Sequence, residues 1–137
     1  METGIICTGH RVLTGGELSK IHNLPAVVFF NSCESARVGG MTKRGAQGLA
    51  RNVGLAETLL RGGVANYVGT HWVVGDLAAP AFMKAFYGAL LNGETMGNAV
   101  SGGRQAVKKL KSRDWADYIH YGSPTFVLKV PHGKTAR

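Results

Sequence analysis

Cysteine is scarce in this sequence. Cys7 and Cys33 are the only two in 137 residues, too few for a disulfide framework, and free thiols suit a reducing compartment. Long apolar runs are missing too: no window approaches the roughly 18 consecutive apolar residues of a membrane-spanning helix. The start, "METGIICTGHRV", lacks the basic and apolar regions of a signal peptide, so the expected location is cytoplasmic, with no membrane partner. The five histidines and two cysteines show no paired ligand spacing, which speaks against a zinc site; no metal and no cofactor is expected. Low-complexity tracts and solenoid-period repeats are likewise absent.

What remains is an ordinary globular composition, 45% hydrophobic and 18% charged with 20 glycines, in a chain of one-domain size. Residues 1–130 are expected to fold, and residues 131–137 to form a disordered basic tail. Charge is uneven. From Arg104 onward eight cations face only Asp114 and Asp117, so +6 of the formal +8 lies in the last quarter. The cluster "KKLKSR" has the charge to contact phosphates, but no base-reading motif or aromatic platform accompanies it in the sequence. A solvated helix face followed by a frayed tail is the favoured reading, and nucleic acid is disfavoured as a partner.

The run "AVVFFNSC", residues 26–33, is short, continuous and rich in Val and Phe, as a strand buried on both faces of a parallel sheet is. A glycine-bearing loop spans residues 35–45. The spacing of Leu49, Val53, Ala56 and Leu60 predicts a helix over 46–61, stopped by Gly62 and Gly63. "VANYVGTHWVV" reads as a second strand. "GD" opens a helix to about Leu91 with Phe82, Phe86 and Leu90 on one stripe, ended by Asn92 and Gly93. Thr95 is placed to cap a third helix to about Lys111, carrying Met96, Ala99, Gly103, Ala106 and Leu110. "SPTFVLKV" is the last predicted strand. This order implies a parallel α/β sandwich with crossover helices.

In such sheets functional groups gather beyond the carboxyl ends of the strands. Cys33 lies at one such end, His71 and Trp72 at or near the next, and Asp76 at the start of the following helix. Each has an ordinary explanation. Cysteine is among the most often buried residue types, His71 fits a partly buried strand position, and Asp76 fits a helix N-cap.

Taken together, "LPAVVFFNSCESA", "GLAETLLRGGVANYVGTHWVVGDLAAPAFMKAFYGALLNGETMGNAV" and "YIHYGSPTFVL" resemble the CHAT family, the caspase-like domain found beside TPR repeats and similar to separases and other clan CD cysteine peptidases. The likeness runs from about Leu13 to Leu128, with four segments in the family's order. It implies a caspase-like αβα sandwich, a mostly parallel sheet flanked by helices, incomplete at its N-terminus. It also implies that Cys33 is a peptidase nucleophile whose backbone N–H helps to form the oxyanion hole. Asp76 matches the position of a separase-like S1 aspartate, which implies cleavage after Arg or, less well, Lys; Trp72 is a weaker substrate-contact candidate. In the family the catalytic histidine belongs to a His-Gly element some forty-odd residues before the cysteine, whereas only 32 residues precede Cys33 here. His10 is a candidate base if "GIICTGH" is a strand and "LTGGELSKI" a short helix leading into the Cys33 strand. The stretch "HRVLTGGELSKIHNLP" also looks like the turn and small helix that follow the catalytic histidine, which would make this chain the C-terminal part of a CHAT domain. Expected partners are then a protein or peptide substrate, the rest of the domain or a larger parent with TPR or other regulatory domains, and, through an exposed sheet edge, another copy of the chain. A non-catalytic interaction module and a basic nucleic-acid adaptor are the alternatives.

Overall fold

The computed structural model describes residues 4–6, 12–14, 17, 20–31, 56–71 and 74–129. Its strands are β1 (Gly4–Ile6), β2 (Val12–Thr14), β3 (Val27–Phe30), β4 (Asn66–Thr70) and β5 (Tyr118–Gly122). The helices are α1, described over residues 56–61, α2 (Ala78–Leu91) and α3 (Met96–Lys109), with a 3-10 turn at Arg113–Ala116. The chain divides into two compact units, Met1–Gly75 with Ala116–Gly122, and Asp76–Trp115 with Ser123–Arg137. No described helix is long and apolar enough to cross a membrane.

In the first unit β1 and β2 pair antiparallel, with Ile5 opposite Leu13. The expected strand-then-helix reading holds in part: residues 13 and 14 of "LTGGELSKI" are strand, where β1 finds its partner in β2, while Glu17 in the same segment is helical. The main sheet has the order β3-β4-β5. β3 and β4 run parallel in the register Val27↔Asn66 to Phe30↔Gly69, and β4 and β5 run antiparallel from Asn66↔Gly122 to Thr70↔Tyr118. The architecture is therefore α/β with a small mixed sheet among the described residues. β4 is buried at all five positions. Ala56 and Leu59 of α1 pack with Val64 and Tyr67, joined by Leu24, Val28, Phe30 and Leu60. α1 ends where the sequence places its stop: Gly63 adopts φ +109, and Val64 N–H and Gly63 N–H donate to Leu59 O and Leu60 O, both at 3.1 Å. That is the Schellman arrangement that glycine makes inexpensive.

The last strand lies earlier than predicted, and it is antiparallel. Tyr118, Ile119, His120 and Tyr121 are aromatic or β-branched enough to pair with β4. Gly122 closes the strand at φ +140, where a Cβ would sit 2.5 Å from both Ala65 O and Asn66 Oδ1. The "SPTFV" segment serves the second unit instead. Pro124 O and Phe126 O accept the Gly97 and Met96 N–H groups, both at 2.8 Å, and so satisfy two of the amides that a helix leaves open at its start. Only a single bridge, Thr95↔Val127, has strand character there.

Within that unit Thr95 caps α3 as expected, its Oγ1 accepting from Asn98 N–H at 3.3 Å. α2 buries Ala78, Phe82, Phe86 and Leu90, and the Phe82 and Phe86 rings stack 5.6 Å apart. Its end repeats the α1 device, with Gly93 at φ +82 and Glu94 N–H donating to Ala89 O at 3.0 Å. α3 buries Met96, Ala99, Val100, Gly103 and Val107; Ala106 is half-buried and Leu110 exposed, so the buried stripe turns toward the two valines.

The α2–α3 contact depends on a missing side chain. A Cβ at Gly103 would lie 2.7 Å from Phe82 Cδ2, whereas one at Gly102 would meet nothing within 4 Å. Alanine is better than glycine in a helix by about 1 kcal/mol, while overpacking a fixed core costs about 1–3 kcal/mol. Adjacent substitutions should therefore have opposite signs in urea denaturation: Gly102→Ala stabilises, and Gly103→Ala destabilises.

Candidate functional site

The parallel register of β3 and β4 brings their carboxyl ends to one edge of the sheet. Asn31 follows β3, and His71 follows β4. Cys33, two positions beyond Asn31, lies outside the described residues, as do His10 and Trp72.

Asp76 is described, and its expected N-cap role is not observed. The N-cap of α2 is Leu77, with φ −89 and ψ −26 and no side-chain capping bond. Leu77 already has helical dihedrals, and among the described residues no hydrogen bond joins the Asp76 carboxylate to the first free amides of the helix. Its side chain is exposed.

His71 is fixed at the sheet edge through its backbone, its N–H donating to Asp117 O at 3.0 Å. The residue is half-buried, as expected of a strand-end histidine, and among the described residues its buried Nδ1 has no hydrogen-bond partner. The same holds for Asn31 Oδ1 and the Tyr67 hydroxyl. An unpaired buried polar atom costs about 1–3 kcal/mol, and such atoms are few in native structures and call for a specific explanation. Here they mark β4 and the strand ends of the first unit. An acceptor on Asn31, a ring nitrogen on His71 and a phenol on Tyr67 are the means by which such an edge would orient a polar group.

Tyr67 reaches toward that edge because Gly69 has no side chain. A Cβ on Gly69 would lie 2.9 Å from the Tyr67 hydroxyl, so the ring occupies the space a larger residue would fill. Burial first, and then the Tyr121 phenol, push the Tyr67 pKa up to about 12; the two rings are 6.4 Å apart. At the opposite end of the strand, Asn66 Oδ1 lies 2.9 Å from His120 Nε2, the geometry of an Nε2–H donating to the amide oxygen, while Asn66 Nδ2 has no partner among the described residues. None of Asn31, Asn66, Tyr67 and His120 was singled out from sequence. The available signal was polar residues at the margins of apolar runs, in "FFN" and "VANYV". Among the described residues no group of three His, Cys, Asp or Glu side chains is arranged to hold a metal ion.

The raised Tyr67 pKa fixes a sign. Below about pH 10 the phenol is protonated in both states. Between about 10 and 12 the unfolded chain loses the proton while the folded chain keeps it, so stability falls as pH rises through that window. Tyr67→Phe removes both this loss and a buried hydroxyl that has no partner among the described residues. The variant should be more stable at neutral pH, by up to about 1–3 kcal/mol, and should show a shallower alkaline decline in denaturation midpoints.

Compared with known proteins, the sequence matches the CHAT domain family over residues 2–123. No curated protein matches it, and neither does any solved structure. A match of that extent includes β1 to β5 and both helices of the second unit, and the chain accordingly belongs to the CHAT domain family.

Proposed function

We propose that the chain is part of a caspase-like cysteine endopeptidase domain, in which Cys33 is the nucleophile and Asp76 selects Arg, or less well Lys, before the cleaved bond. The observation that carries the reading is the family match across residues 2–123, which contains Cys33 just beyond β3. Two features support it: the shared edge at which β3 and β4 end, and the exposed Asp76 carboxylate with no capping duty. On this reading the mixed sheet is a portion of a larger αβα sandwich of the clan CD kind, incomplete at its N-terminus. The working form is cytoplasmic and acts on a protein substrate within a parent carrying TPR or other regulatory domains, or as an assembly of copies.

The chemistry follows from a thiolate. The Cys33 sulfur attacks the carbonyl carbon of the P1 residue, and the oxygen takes up the negative charge and is held by backbone N–H groups, Cys33's own among them. The C–N bond breaks as a histidine delivers a proton to the leaving amine, and water then hydrolyses the thioester. Trp72 is the weaker candidate for a substrate contact. An ordinary cysteine, with pKa about 8.5, is only a few per cent thiolate at neutral pH, so the histidine is indispensable. His10 lies between two strands that pair with each other, and the proposal assigns the base instead to the family's His-Gly element, brought by the remainder of the domain or by another chain. Residues 1–137 alone then hydrolyse peptides poorly.

Two measurements test this. In the 137-residue chain, the pH midpoint of Cys33 alkylation, with Cys7 as internal control, should fall at or above about 8.5; a midpoint well below that returns the base to His10. In the full-length parent, a P1-Arg peptidyl electrophile should label Cys33 in preference to its P1-Asp counterpart. Asp76→Asn should slow that labelling about 10- to 100-fold, the worth of a charge-assisted pair. Labelling that persists in Cys33→Ala, or a preference for Asp, overturns the proposal.

A further inference from the structure

We infer that the carboxyl end of α3 is a binding site for single-stranded nucleic acid, formed by Lys109, Lys111 and Arg113 with Trp115 as its aromatic platform. The inference is independent of the peptidase reading and lies wholly within the second unit. Lys108, Lys109, Lys111 and Arg113 are all exposed, within a stretch that contains no carboxylate. None of the four forms an ion pair among the described residues, where the salt bridge seen is Arg61 with Glu57.

An ordinary cause accounts for part of the cluster. Lys108 and Lys109 occupy the last turn of α3, where cations complement the negative end of the helix dipole. Lys111 and Arg113 lie beyond that turn. Lys111 moreover holds φ +55, the only positive φ at a non-glycine residue among those described. The position just after a helix end is one where glycine, or asparagine, is usual, and a side chain there costs about 1 kcal/mol or more. A lysine kept at a site that glycine would stabilise is the kind of local strain that accompanies function.

The second observation is the placement of Trp115, which follows the cluster by two residues in the sequence. The 3-10 turn Arg113–Ala116, started by Asp114 N–H donating to Ser112 Oγ at 3.1 Å, folds Trp115 back so that Lys108 Nζ lies 5.3 Å from the centre of its ring. Trp115 is still 39% exposed as a residue. Cations alone would suit any polyanion. A surface indole set among them distinguishes the candidates, because a base offers a π-face to stack on it and a carboxylate side chain offers none. A single strand is favoured over a duplex because its bases are free to stack.

The test uses the intact chain and a short fluorescein-labelled oligo-dT strand, titrated over a range of salt concentrations, with a duplex of equal length and poly-glutamate as competitors. For single strands the slope of log affinity against log salt is about −0.7 per phosphate contacted. The triple variant Lys109→Gln, Lys111→Gln, Arg113→Gln should therefore bind at least about tenfold more weakly, with a slope shallower by about 2. Trp115→Leu should weaken binding about fivefold or more with its slope unchanged. All four positions are exposed, and unchanged melting of the variants confirms that the fold is kept. Salt-insensitive or absent binding by the unmodified chain, an unchanged slope in the triple variant, or displacement by poly-glutamate as effective as by unlabelled oligo-dT would each overturn the inference, the last by pointing to an acidic protein surface.

Discussion

Both edges of β4 carry hydrogen bonds, parallel on one side and antiparallel on the other, and all five of its residues are buried. That double pairing is the constraint from which the rest of the first unit follows, and it makes sense of an odd strand sequence, Asn-Tyr-Val-Gly-Thr. Asn66 can be fully buried because His120 meets its amide oxygen. The same amide presses so closely on β5 that only glycine fits at position 122. Gly69, a poor strand former on propensity alone, makes room for the Tyr67 ring. Each residue that lowers the intrinsic strand preference of β4 is tied to one particular neighbour.

Much of this architecture is legible in the sequence, for reasons that differ by element. β3 and β4 show as apolar runs, and α2 shows through the spacing of Phe82, Phe86 and Leu90, all buried. The ends of α1 and α2 show because Gly63 and Gly93 must take positive φ. β5 was missed because "TFVLKV" looks more strand-like than "YIHYG"; propensity cannot reveal that the former's neighbourhood is committed to the open amides of α3. The displaced stripe on α3 has a similar origin. Gly103 faces Phe82, and once that contact is fixed the helix rotation places Val100 and Val107 inside and Leu110 outside. Of the candidate site, the strand-end location was legible from topology, while the buried Asn31, His71 and Tyr67 atoms that lack a partner among the described residues were not, since burial without a partner is a property of three dimensions.

The helix ends show where local rules are kept and where they are set aside. α3 begins with every available device: Thr95 accepts from Asn98 N–H, Asn98 Nδ2 donates to Glu94 Oε2 at 2.9 Å, and two carbonyls from residues 124 and 126 close the first amides. α2 begins with almost none. Its N-cap is a leucine and its first turn holds no acid, although Asp76 stands one residue away. A shift of a single position would give this helix a carboxylate cap worth about 1 kcal/mol.

Departures from local preference concentrate at functional positions when the rest of a fold is consistent. Among the described residues of the second unit, two departures are the uncapped start of α2, beside Asp76, and the left-handed Lys111 at the end of α3. Neither takes part in the contacts between the two helices at Phe82 and Gly103. A sequence under selection for stability alone would place a capping residue at the first and glycine at the second. The charges that stand there instead, one carboxylate and one ammonium, are the groups on which the proposed guanidinium recognition and the inferred nucleic-acid surface respectively depend.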